Sequence, residues 1–246
     1  MGVIAGLFGI GGGALLVVGL VALGYSQHAS HATSLAAIIL TAAAALGPFA
    51  LAGEVSLLGA AVLTPSAMLG AFVGAGLMRR IPERELRIAF VAMLLLIAAR
   101  MLVGVETAEG PVPLDPLAMV GLGALGLATG VLSSIMGIGG GLILVPALVL
   151  LFGFGQHAAE GTSLAVIIPT ALVGAVRHSR SGYTAWATGA ILGFAGVLGG
   201  IGGANLALVL DGVVLQRLFA VFLALMALRS LKRRPKRPPA PGTPAQ

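Results

Sequence analysis

Cysteine is absent from all 246 residues, which excludes disulfides, thiolate metal sites and cysteine nucleophiles. Charge is nearly as scarce. Only 9% of residues are charged, against about 25% in an ordinary soluble domain. With 58% hydrophobic residues and a mean hydropathy of +1.08, the chain cannot cover a water-facing surface. It reads as an integral membrane protein, with room for roughly seven to nine spans of about 20 residues. No alternating ten-residue segments occur, so a β-barrel is disfavoured. Neither H-E-x-x-H nor G-x-S-x-G occurs, which leaves no signature of an enzyme and no catalytic residues to name. Nor is there a G-x-G-x-x-G after a soluble strand or a glycine loop ending in Lys-Ser/Thr, so no cofactor and no metal are expected. The formal charge of +6 is not a nucleic-acid footprint. The basic residues lie in short loops and a tail at membrane edges, where they set topology.

Glycine, by contrast, is abundant at 38 residues, and its densest stretch occurs twice. Gly9-Ile10-Gly11-Gly12-Gly13 is followed by Gln27-His28, Thr33-Ser34-Leu35 and Thr41. Gly137-Ile138-Gly139-Gly140-Gly141 is followed by Gln156-His157, Thr162-Ser163-Leu164 and Thr170. The motifs are 128 residues apart, and from Gln27 onward the matches fall at a spacing of 129, out to Leu102/Leu231. Two large apolar halves of roughly 125 residues suggest a transporter-like duplication rather than a solenoid. The boundaries are residues 1–103 for the first repeat, 104–115 for an acidic external linker, 116–231 for the second repeat and 232–246 for a basic, proline-rich tail expected to be disordered.

Spans are expected at Ala32–Leu51, Leu57–Met78, Ile88–Val103, Ala158–Val176, Ala185–Leu210 and Leu215–Leu228. Pro116–Phe154 is too long for one straight span and carries its glycines in the middle, each costing about 1 kcal/mol of helix propensity. Charge decides its path. If the segment enters and returns, every Lys and Arg except Arg100 and Arg217 faces the cytoplasm, the C-terminal tail included; if it crosses once, Arg177, Arg180 and the tail end up outside. A hairpin is therefore expected. The same count puts Gln27-His28 inside and Gln156-His157 outside, so the halves are inverted in the membrane. The expected fold is all-α: a polytopic transmembrane helical bundle of two inverted repeats, broken into hairpins at the glycine motifs. Only eight residues precede the first motif against about 20 before the second, so the N-terminus is expected to be truncated.

The glycine motifs have a chemical reading. A helix broken within the membrane exposes backbone N–H groups at its new N-terminus, which with the helix dipole bind an anion without a buried cation. Gly9, Gly11, Gly12 and Gly13, with Gly137, Gly139, Gly140 and Gly141, are the substrate-binding candidates; the bland alternative is close helix packing. Thr33, Ser34, Thr162 and Ser163 could donate to oxyanion oxygens or simply bond back to helix carbonyls. Asn205, an amide deep in its span, is a further candidate, with an interhelical hydrogen bond as its alternative. His28 and His157, with Glu160 opposite His31 in the repeat, are the candidates for proton coupling.

The paired G-I-G-G-G motifs, each followed by Q-H-A, T-S-L and a distal basic cluster, resemble the TauE/SafE family of sulfite and organosulfur-anion exporters. The resemblance covers nearly the whole chain except the tail; the short N-terminus and Glu54-Val55 depart from it. It implies a helical carrier in the inner (cytoplasmic) membrane that exports a small anion such as sulfite or a sulfonate. The expected partners are that anion and membrane lipid, with no nucleic acid; a homodimer is the candidate assembly. The rival is a non-transporting scaffold or a subunit of a larger membrane complex.

Overall fold

The computed structural model describes residues 1–77, 91–92, 95–102 and 115–232. The basic loop at 79–87, most of the 104–115 linker and the tail from 233 lie outside the described residues, and so do the charges there that orient the chain. Among the described residues all regular structure is helical: α1 (Gly2–Leu7), α2 (Gly13–Ala22), α3 (Gln27–Leu51), α4 (Leu57–Leu77), α5 (Pro116–Met136), α6 (Gly141–Phe152), α7 (Gln156–Ser179), α8 (Trp186–Val209) and α9 (Gly212–Lys232). Residues 95–102 are helical as well. Five helices, α3, α4, α5, α7 and α8, are long and apolar enough to cross a membrane.

The helix starts follow local chemistry. Ser26 caps α3, its hydroxyl accepting from the Ala29 N–H at 3.2 Å, and Asp115 caps α5 ahead of Pro116 at the first helical position. The span expected at Ala32–Leu51 begins earlier than its apolar run. The helix takes in Gln27 to His31 as well, because a capped first turn accommodates polar side chains at a bundle end.

Both glycine motifs break the helix. Gly9, Gly11 and Gly12 have φ of +62°, +68° and +79°, and Gly137, Gly139 and Gly140 repeat the series at +64°, +80° and +82°. This is the left-handed region, which glycine enters without steric cost. The chain then reverses: a Cβ placed on Gly121, early in α5, would stand 3.2 Å from the ring of Phe152 at the end of α6. The Pro116–Phe154 segment is thus a hairpin, as its length and charge balance require.

The halves interlock rather than stand side by side. α1 of the first half packs on α8 of the second, and α5 of the second packs on α4 of the first. Small residues make these crossings: Gly2 and Gly6 face the backbone of Gly196 and Gly200, while Gly126 and Gly130 face that of Leu63 and Ala67. Where lipid surrounds the helices, backbone approach of this kind replaces the hydrophobic driving force. The repeat-equivalent helices α3 and α7 form the centre and run antiparallel. Leu35 early in α3 meets Gly174 late in α7, and Phe49 late in α3 meets Gly161 early in α7.

Candidate functional site

The two glycine turns meet between α3 and α7. A Cβ on Gly13 would come within 2.8 Å of the Gly137 carbonyl oxygen, and one on Gly141 within 2.8 Å of the Gly9 carbonyl oxygen. Only glycine lets the turns approach so closely. Ile38 of α3 and its repeat partner Ile167 of α7 cover the contact from either side, and all these residues are buried.

Each turn is held by the opposite half. The Ser34 hydroxyl donates to the Gly137 carbonyl at 2.7 Å and lies 2.8 Å from the His31 carbonyl. Its repeat partner Ser163 donates to the Gly9 carbonyl at 3.1 Å. The threonines pair in the same crossed way: Thr33 Oγ1 accepts from the Ala185 N–H at 3.0 Å, and Thr162 Oγ1 accepts from the Ser56 N–H at 2.9 Å. Of the serine hydroxyls, expected to donate to a substrate or to their own helix, Ser34 shares its proton between its own helix and the partner half's turn, and Ser163 gives its proton to the partner half's turn.

One tie breaks the symmetry. Thr41 Oγ1 donates to the Gly11 carbonyl at 3.0 Å, whereas Thr170 turns back to Val166 of its own helix at 2.7 Å.

Backbone donors are left over at both turns. Among the described residues, the N–H groups of Gly11 to Gly13 and of Gly139 to Gly141 meet no acceptor. Buried N–H groups are almost always paired, and these sit at the N-termini of α2 and α6, where the helix dipole adds positive potential. Beside the second turn stands Ser133, buried, with a hydroxyl that has no partner. Its oxygen lies 3.7 Å from where a Cβ on Gly140 would be. The equivalent neighbour of Gly12 is Ala5, which brings only a methyl group. Sequence reasoning passed over Ser133; the signal was there, since Ser133-Ser134 is the one polar pair in the otherwise apolar approach to the second motif.

The remaining candidates are spread out. Asn205 lies on the exposed face of α8, its amide donating to the Ile201 carbonyl of its own helix at 2.9 Å. It does not join the turns, which corrects its expected place in the site. His28 stacks on Tyr183 with ring centroids 5.4 Å apart. His157 bonds the Ala207 carbonyl through Nε2 at 2.9 Å. They stand at the first turns of the antiparallel α3 and α7, hence at opposite ends of the bundle. His31 and Glu160 do reach the turns: a Cβ on Gly137 would lie 2.5 Å from the His31 Cα, and one on Gly9 would lie 2.6 Å from the Glu160 Cα. Among the described residues no cluster of His, Asp or Glu could hold a metal ion.

Comparison with known proteins follows the same line. A stretch of 69 residues is 41% identical to the "Probable membrane transporter protein YunE" of Bacillus subtilis (strain 168), covering 28% of this chain and 25% of the relative. A "Probable membrane transporter protein" of Xylella fastidiosa (strain 9a5c) is 28% identical over 102 residues, covering 41% of this chain and 38% of the relative. The aligned stretches therefore span well under half of these relatives. No solved structure matches. The family model described as "Sulfite exporter TauE/SafE" matches residues 1–101 and 122–246. With both glycine turns and nearly the whole chain inside that match, the protein is a multi-pass membrane protein belonging to the TauE/SafE sulfite exporter family.

Proposed function

We propose that the chain is a secondary transporter that exports a small oxyanion, such as sulfite or a sulfonate, across the cytoplasmic membrane by alternating access. The observation that carries this reading is the pair of buried glycine turns. Their N–H groups are unspent, the turns touch at two helix N-termini, and Ser133 adds a free hydroxyl beside the second. Several N–H donors and a helix dipole suit an oxyanion, and irregular backbone is tolerated at membrane depth where it lines a binding cavity or is buried in protein.

The crossed contacts suggest how the site would change its access. α3 and α7 are equivalent by sequence yet antiparallel, which is the relation of repeats inverted in a membrane. In this arrangement each half grips the other's turn through one serine, so relative motion of the halves must break and remake those ties. The C-terminal tail lies on the cytoplasmic side in this reading, and the energy comes from an ion gradient or from the anion's own gradient.

The test is uptake of radiolabelled sulfite and of a sulfonate into proteoliposomes holding the purified full chain. Saturable uptake of either is expected, with Ser133→Ala raising the half-saturation concentration. Absence of uptake of both by folded protein would refute the transport reading.

A further inference from the structure

Among the described residues one acid is buried in the bundle, and the anion site leaves it unused. Glu160, in the second turn of α7, is completely buried. One carboxylate oxygen accepts from Gln156 Nε2 at 2.7 Å. The other, together with the Gln156 amide oxygen, has no partner. A third unpartnered group, the amide nitrogen of the buried Gln216, stands on α9 one turn beyond Gly212, and a Cβ on Gly212 would lie 4.0 Å from the Gln156 Cβ. An isolated buried carboxylate is very costly, and among the described residues no basic side chain pairs with this one.

The ionisable groups around it are few. Its own helix brings His157, bonded to the Ala207 carbonyl. The loop after α3 brings Glu54, whose backbone oxygen lies against Gly161, while His31 stands at the other end of α3 against the Gly137 turn. α9 brings Arg217 and the capping Asp211, both exposed. Helices α1, α2, α4, α5, α6 and α8 carry no titratable side chain.

We propose that Glu160, held by Gln156, is the carrier's coupling site, binding one proton on its free carboxylate oxygen in one access state and releasing it in the other. This rests on the transport reading above. The link to motion is direct: the Gly9 turn packs on the Glu160 backbone, and the next turn of α7 supplies Ser163, which holds the Gly9 carbonyl. Moving that turn must change the surroundings of the carboxyl. Uptake requires nothing beyond acid–base exchange, –COO⁻ + H⁺ giving –COOH, with the proton drawn from the end of the bundle where Glu54 and Asp211 lie. The repeat-equivalent position is His31, packed on the Gly137 turn with Nδ1 unpartnered, so the buried acid belongs to one half alone.

The experiment uses the full chain in liposomes loaded with a pH-reporting dye and given a sulfonate gradient, because a sulfonate has no proton of its own to exchange near neutral pH. Wild type should move protons with the anion and respond to an imposed pH gradient. Glu160→Gln should lose both while anion–anion exchange persists, and that exchange shows the variant is folded. Gln156→Leu, which keeps the carboxyl, should move the pH midpoint of flux. Independently of substrate, the wild-type infrared band of a buried carboxylic acid C=O should vanish in Glu160→Gln. Survival of that band, or proton movement unchanged in Glu160→Gln, overturns the assignment. Flux driven by a sodium gradient and not by pH overturns it too. Wild-type protein that carries no anion refutes the transport reading itself, and the coupling assignment falls with it.

Discussion

Replacing Ser34 with alanine removes the donor that the first half lends to the second half's turn. The His31 carbonyl sits in the second turn of α3 and keeps helical N–H groups in reach, so the loss falls on the Gly137 carbonyl, which accepts the hydroxyl at 2.7 Å. A buried acceptor left without a donor costs about 1–3 kcal/mol. Ser163→Ala does the same to the Gly9 carbonyl, at 3.1 Å. The two hydroxyls serve different turns, so the double variant should lose nearly the sum of the single losses, about 2–4 kcal/mol if each costs 1–2 kcal/mol. Equilibrium unfolding in mixed micelles, with wild type and the three variants in parallel, reads this directly. Each single variant should shift its folded-to-unfolded ratio by roughly five- to thirtyfold. Wild-type stability in both single variants would refute the idea that the crossed serines bind the halves together. A double variant no weaker than either single one would instead mean that the two ties act as one.

Other variants test neighbouring parts of the structure. Thr41→Val should destabilise more than Thr170→Val in the same assay, because only Thr41 holds a turn carbonyl; equal effects would deny the asymmetry. Gly141→Ala places a Cβ 2.6 Å from the Ile10 Cα, a backbone atom with little room to yield, and should cost about 1–3 kcal/mol or prevent folding, seen as lost monodisperse yield. Phe8 packs at ring-centroid distances of 5.2 and 5.1 Å on Phe219 and Phe222 of α9, so Phe8→Ala should cost about 3–5 kcal/mol in the unfolding assay. Asn205→Ala should stay within about 0.5 kcal/mol of wild type, since that amide bonds only its own helix.

Much of this structure is legible in the residue order. Low charge and long apolar runs give the membrane class, the 129-residue spacing gives the duplication, and a glycine cluster in an overlong apolar segment gives the hairpin. The crossed pairing is not legible. A repeat says that Ser34 and Ser163 are equivalent, but not that each reaches the turn of the other half; that depends on α3 and α7 running antiparallel through one centre. Ser133 escaped notice because a serine in an apolar helix usually bonds back to its own carbonyls, as Thr129 does here. Asn205 misled because polarity inside a span shows neither which face of the helix carries it nor whether the helix satisfies it. The glycines mark a break in the sequence, while the close meeting of the two turns depends on how the halves interlock.

The central claim is that the two glycine turns form one anion site, and sulfite and sulfonate flux through Gly11→Leu and Gly139→Leu tests it most directly. Each variant is to be reconstituted from monodisperse protein beside wild type. Loss of flux in both, with wild type saturable, is the expected result, because a side chain at either glycine presses on Ile38 and Ile167 where the two turns meet. Wild-type flux in either folded variant would contradict a shared site.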